Sequence, residues 1–312
     1  MYYSAAHGTA SDTANKAAAV AVGNPRRGKQ SLRMRTGTGM GIGMETGMWS
    51  GTWGRAGDES LYVMDLEQAM RRRHSVRSYT DEPIGIAERA ELEREIARCN
   101  AEGGLDIRLV LEEPEAFDSA LAHYGRMTNV RNYIVVAGAP APDLDERCGH
   151  YGERLVLLAQ QLGLNTCWVA LTFKKRFVRK SLAAGRELVV VIAIGHGAVG
   201  GMSRRSKTFE QVAVCPDPAS VPDWFRRGVE AALLAPTAVN QQRFTFELVA
   251  PGKDAASGET GVSGKPAGGK ASTSDKPAVR ATTKGGPYTS IDLGIAKLHF
   301  ELGAGKGNFV WA

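Results

Sequence analysis

What is missing narrows this 312-residue sequence before any motif is read. The four cysteines (Cys99, Cys148, Cys167, Cys215) lie far apart, with no Cys-x-x-Cys and no Cys/His pair at zinc spacing. That pattern excludes a disulfide framework and a zinc knuckle, and it fits a reducing, cytoplasmic setting. No apolar run approaches the ~18 residues that span a bilayer, so no membrane partner is expected. Any Ser/His/Asp set, paired acid or metal cluster is also lacking. His150, His196 and His299 fall on different expected elements, and each reads as a packed or exposed histidine. Acid is in deficit, 33 Asp and Glu against 39 Lys and Arg, a net charge of +6. The basic residues gather at Arg71–Arg77 and Arg204–Lys207 without interleaved aromatics, which fits a small phosphorylated ligand better than nucleic acid. A solvated basic face is the plainer alternative for either cluster alone.

What is present divides unevenly. Residues 1–63 are Ala-rich, then rich in Gly, Met and Thr (TGTGMGIGMETGMWSGTWG), with neither helical nor strand period. Such a segment buries too little apolar area to offset chain entropy, and it is expected to be a disordered extension. Its GTGMGIG run has no strand before it and no helix after it, so it is not a phosphate loop. Residues 64–312 form the expected folded domain. Helices are expected at Asp65–Arg73 (capped by Asp65), Ile86–Cys99, Tyr151–Leu162 (closed by Gly163), Pro222–Leu234 and Ile291–Leu302 (closed by Gly303). Strands are expected at Leu105–Leu111, Tyr133–Ala137, Leu188–Ile194 and Phe244–Val249. The Gly/Ser/Lys/Thr-rich stretch 251–287 reads as a flexible surface insert. A faint repeat pairs Tyr151–Gly163 with Ile291–Gly303, each preceded by a helix and a strand.

Four segments carry functional groups. Arg73-His74-Ser75-Val76-Arg77 sets two guanidiniums around a hydroxyl, able to converge on one phosphate or a polar ring edge. Its alternative is a basic helix end that compensates the macrodipole. Asn165-Thr166-Cys167-Trp168-Val169-Ala170 reads as a helix-to-loop junction with a buried Trp and an inert thiol. Arg205-Ser206-Lys207 follows the LVVVIAIGHG strand and its glycine turn. Leu233–Phe244, LLAPTAVNQQRF, passes from an apolar helix through a loop bearing Thr237, Asn240, Gln242 and Arg243 into a strand. The alternative for that loop is a tight turn whose amides satisfy nearby backbone.

Taken together these segments resemble the nitroreductase family of flavoproteins. RRRHSVRSYTDEPI resembles the family's opening signature, and GLNTCW its G-L-G-T-C-W segment, with Asn165 at the usual second glycine. Arg205-Ser206-Lys207 resembles the late basic pair before a short helix, here Phe209–Val212. APTAVNQQRF resembles the loop A-P-S-A-x-N-x-Q-P-W, with Arg243 for Pro and Phe244 for Trp.

The resemblance implies an α+β fold, a mostly antiparallel sheet flanked by helices, and FMN as cofactor with NADH or NADPH as donor. A small electron-poor acceptor such as a nitroaromatic or quinone would be reduced in a ping-pong cycle. By it, Arg73, His74 (through backbone placement) and Ser75 lie near the phosphate and ribityl, and Arg77 near the pyrimidine edge. Cys167, Trp168 and Val169 run along the dimethylbenzene and N5 edge. Arg205 and Lys207 hold the phosphate, and Thr237, Asn240 and Gln242 edge the flavin opposite Arg73 and Arg77. No catalytic side chain is expected, because the flavin carries the chemistry. A flavin- or nucleotide-binding module without turnover is the alternative of the same fold. In most of the family the loop comes early, whereas here it comes late. That order resembles a branch in which one chain mimics the dimer internally, so a monomer or a homodimer is expected.

Overall fold

Two uninterrupted apolar runs, Asn132–Gly138 (β2) and Glu187–Gly195 (β4), pair antiparallel at the centre of a four-stranded sheet. Nearly continuous Val, Ile and Ala without alternation is the mark of a strand covered on both faces, and all seven residues of β2 are buried. The sheet order is β1-β2-β4-β3, with β1 at Arg108–Val110 and β3 at Asn165–Val169, every pair antiparallel. Strand periodicity divides its side chains between two cores. Ile134, Val136, Val190 and Ile192 join one; Tyr133, Val135, Ala137, Val191 and Ala193 join the other.

The computed structural model describes residues 61–118, 126–201, 205–249 and 276–312, all within one unit, Gly47–Ala312. The expected disordered extension therefore lies almost wholly outside the described residues. Ordered contacts begin before Met64, however: Val63 N–H donates to the Gln161 carbonyl and the Tyr62 hydroxyl to Glu91.

Helices α1 (Leu66–Arg72), α2 (Ile86–Gly103), α3 (Leu144–Gln161), α4 (Asp223–Ala232) and α5 (Thr289–Ala304) complete the described frame. Asp65 caps α1 by accepting from the Gln68 N–H at 2.7 Å. After α3 the Leu164 N–H returns to the Ala159 carbonyl and the Gly163 N–H to that of Gln160, with Gly163 at φ 80°. This is the Schellman closure expected of a glycine there. Helix α3 starts well before Tyr151, because the polar stretch Leu144–His150 still buries Leu144, Cys148 and Gly149. Helix α5 runs through Gly303 and stops at Gly305, since Gly303 lies against the Arg227 carbonyl of α4.

A second four-stranded sheet has the order β5-β6-β7-β8, formed by Ala213–Val214, Phe244–Val249, Ala278–Thr283 and Val310–Trp311. Strand β7 corrects the expected insert. Residues 278–283 pair antiparallel with β6, from Phe244↔Thr283 to Val249↔Ala278. Both halves therefore follow one plan, α2-β1-β2-α3-β3 and α4-β6-β7-α5-β8. In the first, β3 runs parallel to β2 with β4 between them; in the second, β8 pairs directly with β7 in parallel.

The halves meet through α3 and α5. A side chain on Gly294 would collide with the Glu146 carbonyl and the His150 N–H, and one on Gly149 with the Ile291 carbonyl and the Ile295 N–H. The contact is reciprocal: Gly149 answers Gly294, Glu146 answers Ile291, and His150 answers Ile295. Only glycine admits backbones so close. The repeat is thus real, but its register pairs Gly149 with Gly294 rather than the Leu-Gly helix ends. Helix α1 wedges into this seam, with Leu66 and Met70 against Leu157 of α3, Ala231 of α4 and Leu298 of α5.

Candidate functional site

The chain leaving α1 is extended and lies along the edge of the first sheet. Ser75 bridges Thr166 in parallel, and the Val76 N–H donates to the Thr166 carbonyl at 3.0 Å. Further on, the Thr80 N–H reaches the His196 carbonyl (2.8 Å) and the Ala198 N–H the Ser78 carbonyl (2.9 Å). Val76 and Tyr79 anchor the segment inward, the Tyr79 hydroxyl donating to the Val76 carbonyl, while Arg77 is exposed and Ser75 half-buried. Segments 73–77 and 165–169 are therefore brought together.

The second of these is an edge strand, β3, and not the helix-to-loop junction expected; alternation sends Cys167 and Trp168 to opposite faces. Trp168 lies over Gly152 of α3. Cys167 faces Ser75, and burial pushes its thiol pKa up against the lowering pull of Arg77, Arg73 and the Ser75 hydroxyl. Such a thiol is unreactive. Asn165 accepts from the Gly197 N–H at 3.0 Å, tying β3 to the turn after β4. That explains an asparagine where the resemblance has glycine.

Arg73 is not part of a solvated helix end. It is 3% exposed, its Nε lies 3.9 Å from Glu153 Oε1 on α3, and its Nε and Nη2 have no hydrogen-bond partner. Burial lowers its pKa, and the Glu153 carboxylate pulls the other way. Glu153 Oε1 also lies 2.9 Å from His299 Nε2, and its Oε2 accepts from the Trp168 indole at 3.0 Å. His299 Nδ1 faces the Ala231 carbonyl at 3.2 Å. His299, expected to be a packed or exposed histidine, is packed in this buried group and comes from the other half. Unpaired buried donors are costly and uncommon. Two of them on one guanidinium, between halves, suit an anionic or oxygen-rich ligand.

A second pair of segments meets nearby. Lys207 donates its N–H to Gln242 Oε1 at 2.8 Å and its ammonium to the Gln242 carbonyl at 2.5 Å. Gln242 Nε2 donates to Ser206 Oγ and to the Leu233 carbonyl, each at 3.1 Å. Asn240 Nδ2 donates to the Arg205 carbonyl at 2.7 Å, and Thr237 Oγ1 accepts from the Gln242 N–H. The side-chain amide of Gln242 (1% exposed) is thus satisfied inside the protein, as in the tight-turn alternative.

The loop it closes is strained. Val239, Asn240 and Gln242 have φ of 45°, 55° and 43°, and Val239 is 98% exposed. Non-glycine residues hold such values only where their surroundings impose them. Asp292 of α5 does part of this, accepting from the Ala238 N–H at 2.9 Å and Gln241 Nε2 at 2.7 Å. Burial raises the Asp292 pKa to about 6, against the lowering effect of those two donors.

Sequence reading missed Lys284. Its N–H donates to the Arg243 carbonyl at 3.1 Å, and burial together with the charges of Lys284 and Arg243 lowers the Lys207 pKa. The signal available was the β-branched run before it, AVRATT, closing on Gly285-Gly286. His74 ties the two pairs of segments together by packing on Gly201, four residues before Arg205 in the chain. Among the described residues no hydrogen bond or ion pair joins 73–77 directly to 237–242, and none of their groups of acids, histidines and cysteines could hold a metal. Arg204 lies outside the described residues. No described helix is long and apolar enough to cross a membrane.

The family model described as "Putative TM nitroreductase" matches residues 65–304. Among solved structures, the chain is similar to a protein from Thermotoga maritima described as a nitroreductase, with 19% identity, TM-score 0.48, and 78% of this chain and 85% of that one covered. A nitroreductase from Desulfovibrio desulfuricans, in complex with FMN, is 20% identical, with TM-score 0.38 and coverage of 48% and 95%. A protein from Staphylococcus epidermidis described as an NAD(P)H:FMN oxidoreductase is 14% identical, with TM-score 0.41 and coverage of 48% and 95%. No curated protein matches.

Proposed function

Because this chain belongs to that nitroreductase family, an oxidoreductase family of α+β fold, we propose that it binds one FMN per chain and oxidises NADH or NADPH at the expense of an electron-poor small molecule. Nitroaromatics and quinones are the acceptor class. The observation that carries this reading is Arg73, buried at the seam with two unpartnered donors inside a segment held against β3. A guanidinium suits bidentate contact with phosphate.

The residues present fit the cofactor. Arg73, Arg205 and Lys207 would meet its phosphate, with Ser75 on the ribityl side and His74 fixing the backbone between them. Arg77 is the exposed cation for the pyrimidine edge, where positive charge favours an anionic ring. Cys167, Trp168 and Val169 offer backbone along the ring, and Thr237 and Asn240 edge it from the second half. Gln242 acts one step back, clamping Lys207 to the loop. When bound, FMN supplies reversible hydride chemistry. The protein's share is to bind, to orient and to exclude water. Donor and acceptor would use one face in turn, giving ping-pong kinetics.

The reciprocal contact of Gly149 and Gly294 already joins two half-units within one chain, so we expect a monomer. Among the described residues the second half shows no counterpart of Arg73–Arg77, and β8 pairs directly with β7, so we expect one site rather than two. Titration of the pure protein with FMN, followed by NAD(P)H oxidation with a quinone, tests the proposal. Tight uptake with turnover is expected. Uptake without turnover would favour the binding module, and no uptake would refute the reading.

A further inference from the structure

Three cations beside the proposed flavin site come from distant parts of the chain: Lys207 after β4, Arg243 before β6 and Lys284 just past β7. The backbone draws them together. Lys207 is hydrogen-bonded to Gln242 through its N–H and its ammonium, and Arg243 follows Gln242 directly. The Arg243 carbonyl accepts from the Lys284 N–H at 3.1 Å, and the Arg243 guanidinium donates to the Gly285 carbonyl at 3.2 Å. Among the described residues none of the three forms an ion pair, nor does Arg205. Like charges crowded this way raise the free energy of the ligand-free protein, and an anion relieves it; burial first, then the charges of Lys284 and Arg243, lower the pKa of Lys207.

The flavin phosphate does not account for all of this charge. A phosphate monoester carries roughly −1.5 to −2 near neutral pH, and Arg73, Arg205 and Lys207 already outnumber that. Arg243 and Lys284 remain, flanking the loop that would edge the flavin. We infer that Arg243 and Lys284, next to Lys207, form a phosphate-monoester site for the adenosine 2′-phosphate of the donor, so that this chain selects NADPH over NADH. The inference rests on the flavin reading for the place of the donor. It does not rest on it for the existence of the anion site.

The test is calorimetric titration of the full chain with adenosine 2′,5′-bisphosphate and with 5′-AMP, beside kcat/KM for NADPH and NADH. The bisphosphate should bind the wild-type protein more tightly than 5′-AMP. Arg243→Gln and Lys284→Gln should each remove about 10- to 100-fold of that preference, the usual size of a charge-assisted hydrogen bond. The same factor should be lost from the NADPH/NADH ratio, and Lys284→Arg should keep most of it. Equal losses for both donors would assign the cations to the shared diphosphate and overturn the inference. So would a bisphosphate bound no better than 5′-AMP, or variants that weaken FMN instead. If the protein takes up no FMN, the flavin reading fails by that result alone, and the bisphosphate titration still decides the anion site.

Discussion

The two central helices each support one side of the site with a buried acid, and the acids are treated differently. Glu153 on α3 lies among Arg73, His299 and the Trp168 indole, so its charge has cationic company. Asp292 on α5 meets only neutral donors, the Ala238 N–H and the Gln241 amide, and its pKa rises to about 6. Both are under 5% exposed. For Asp292 the desolvation by burial outweighs the two neutral donors that stabilise its charged form. The first half holds a cation in place through an ion pair, while the second holds a strained loop through a carboxylate that meets neutral donors.

The frame that makes this comparison possible is the glycine contact, and breaking it should have the largest effect. Gly294→Leu forces a side chain into the backbone of α3. Urea denaturation should show a loss of about 3 kcal/mol or more, at the upper end for overpacking. A loss below about 1 kcal/mol would mean that the halves are not locked there.

Glu153→Gln comes next. It leaves Arg73 buried without its anion, and removing one member of a buried pair costs about 3 kcal/mol or more. Asp292→Asn should instead change how stability depends on pH. The Asp292 pKa is raised from 3.8 to about 6, so its contribution is full below pH 3.8 and is lost as pH rises through about 6. A shift of that size corresponds to about 3 kcal/mol at most. The variant's amide offers one acceptor oxygen where the carboxylate offers two, so one of the two donors loses its partner at every pH, and the slope between pH 4 and 6 should disappear. A slope retained in Asp292→Asn would show that Asp292 is not the group that titrates there.

The smallest effect belongs to the loop itself. Val239→Gly removes a β-branched side chain from φ 45° at a fully solvated tip. Relief of strain exceeds the added chain entropy, so thermal unfolding should shift upward by an amount worth about 1 kcal/mol. A downward shift would show that Val239 is not strained.

How much of this could be read from the sequence depends on the range of the interaction. The Asp65 cap, the Gly163 closure and the buried runs of β2 and β4 are local patterns, and they were legible. The start of α3 was not, because Asp145, Glu146 and Arg147 mask a buried stripe that only packing reveals. Strand β7 was hidden at the end of a low-complexity stretch, where six residues gain their order from pairing with β6. In the candidate site, the four segments were visible as residue types, and two of them, 205–207 and 237–242, do bind each other. The burial of Arg73 against Glu153 and His299 was not legible, since those partners lie on two other helices. Nor was the role of Gln242 as a clamp, which follows from the Lys207 and Leu233 backbone groups it faces.

Whether two half-units in one chain build a single flavin site is open to direct measurement. The measurement is the visible spectrum and flavin content of the pure protein, taken with its mass in solution, before and after NADH or NADPH. One FMN per chain in a monomer, bleached by the donor, is the predicted result. A colourless protein that takes up no FMN on titration would contradict it.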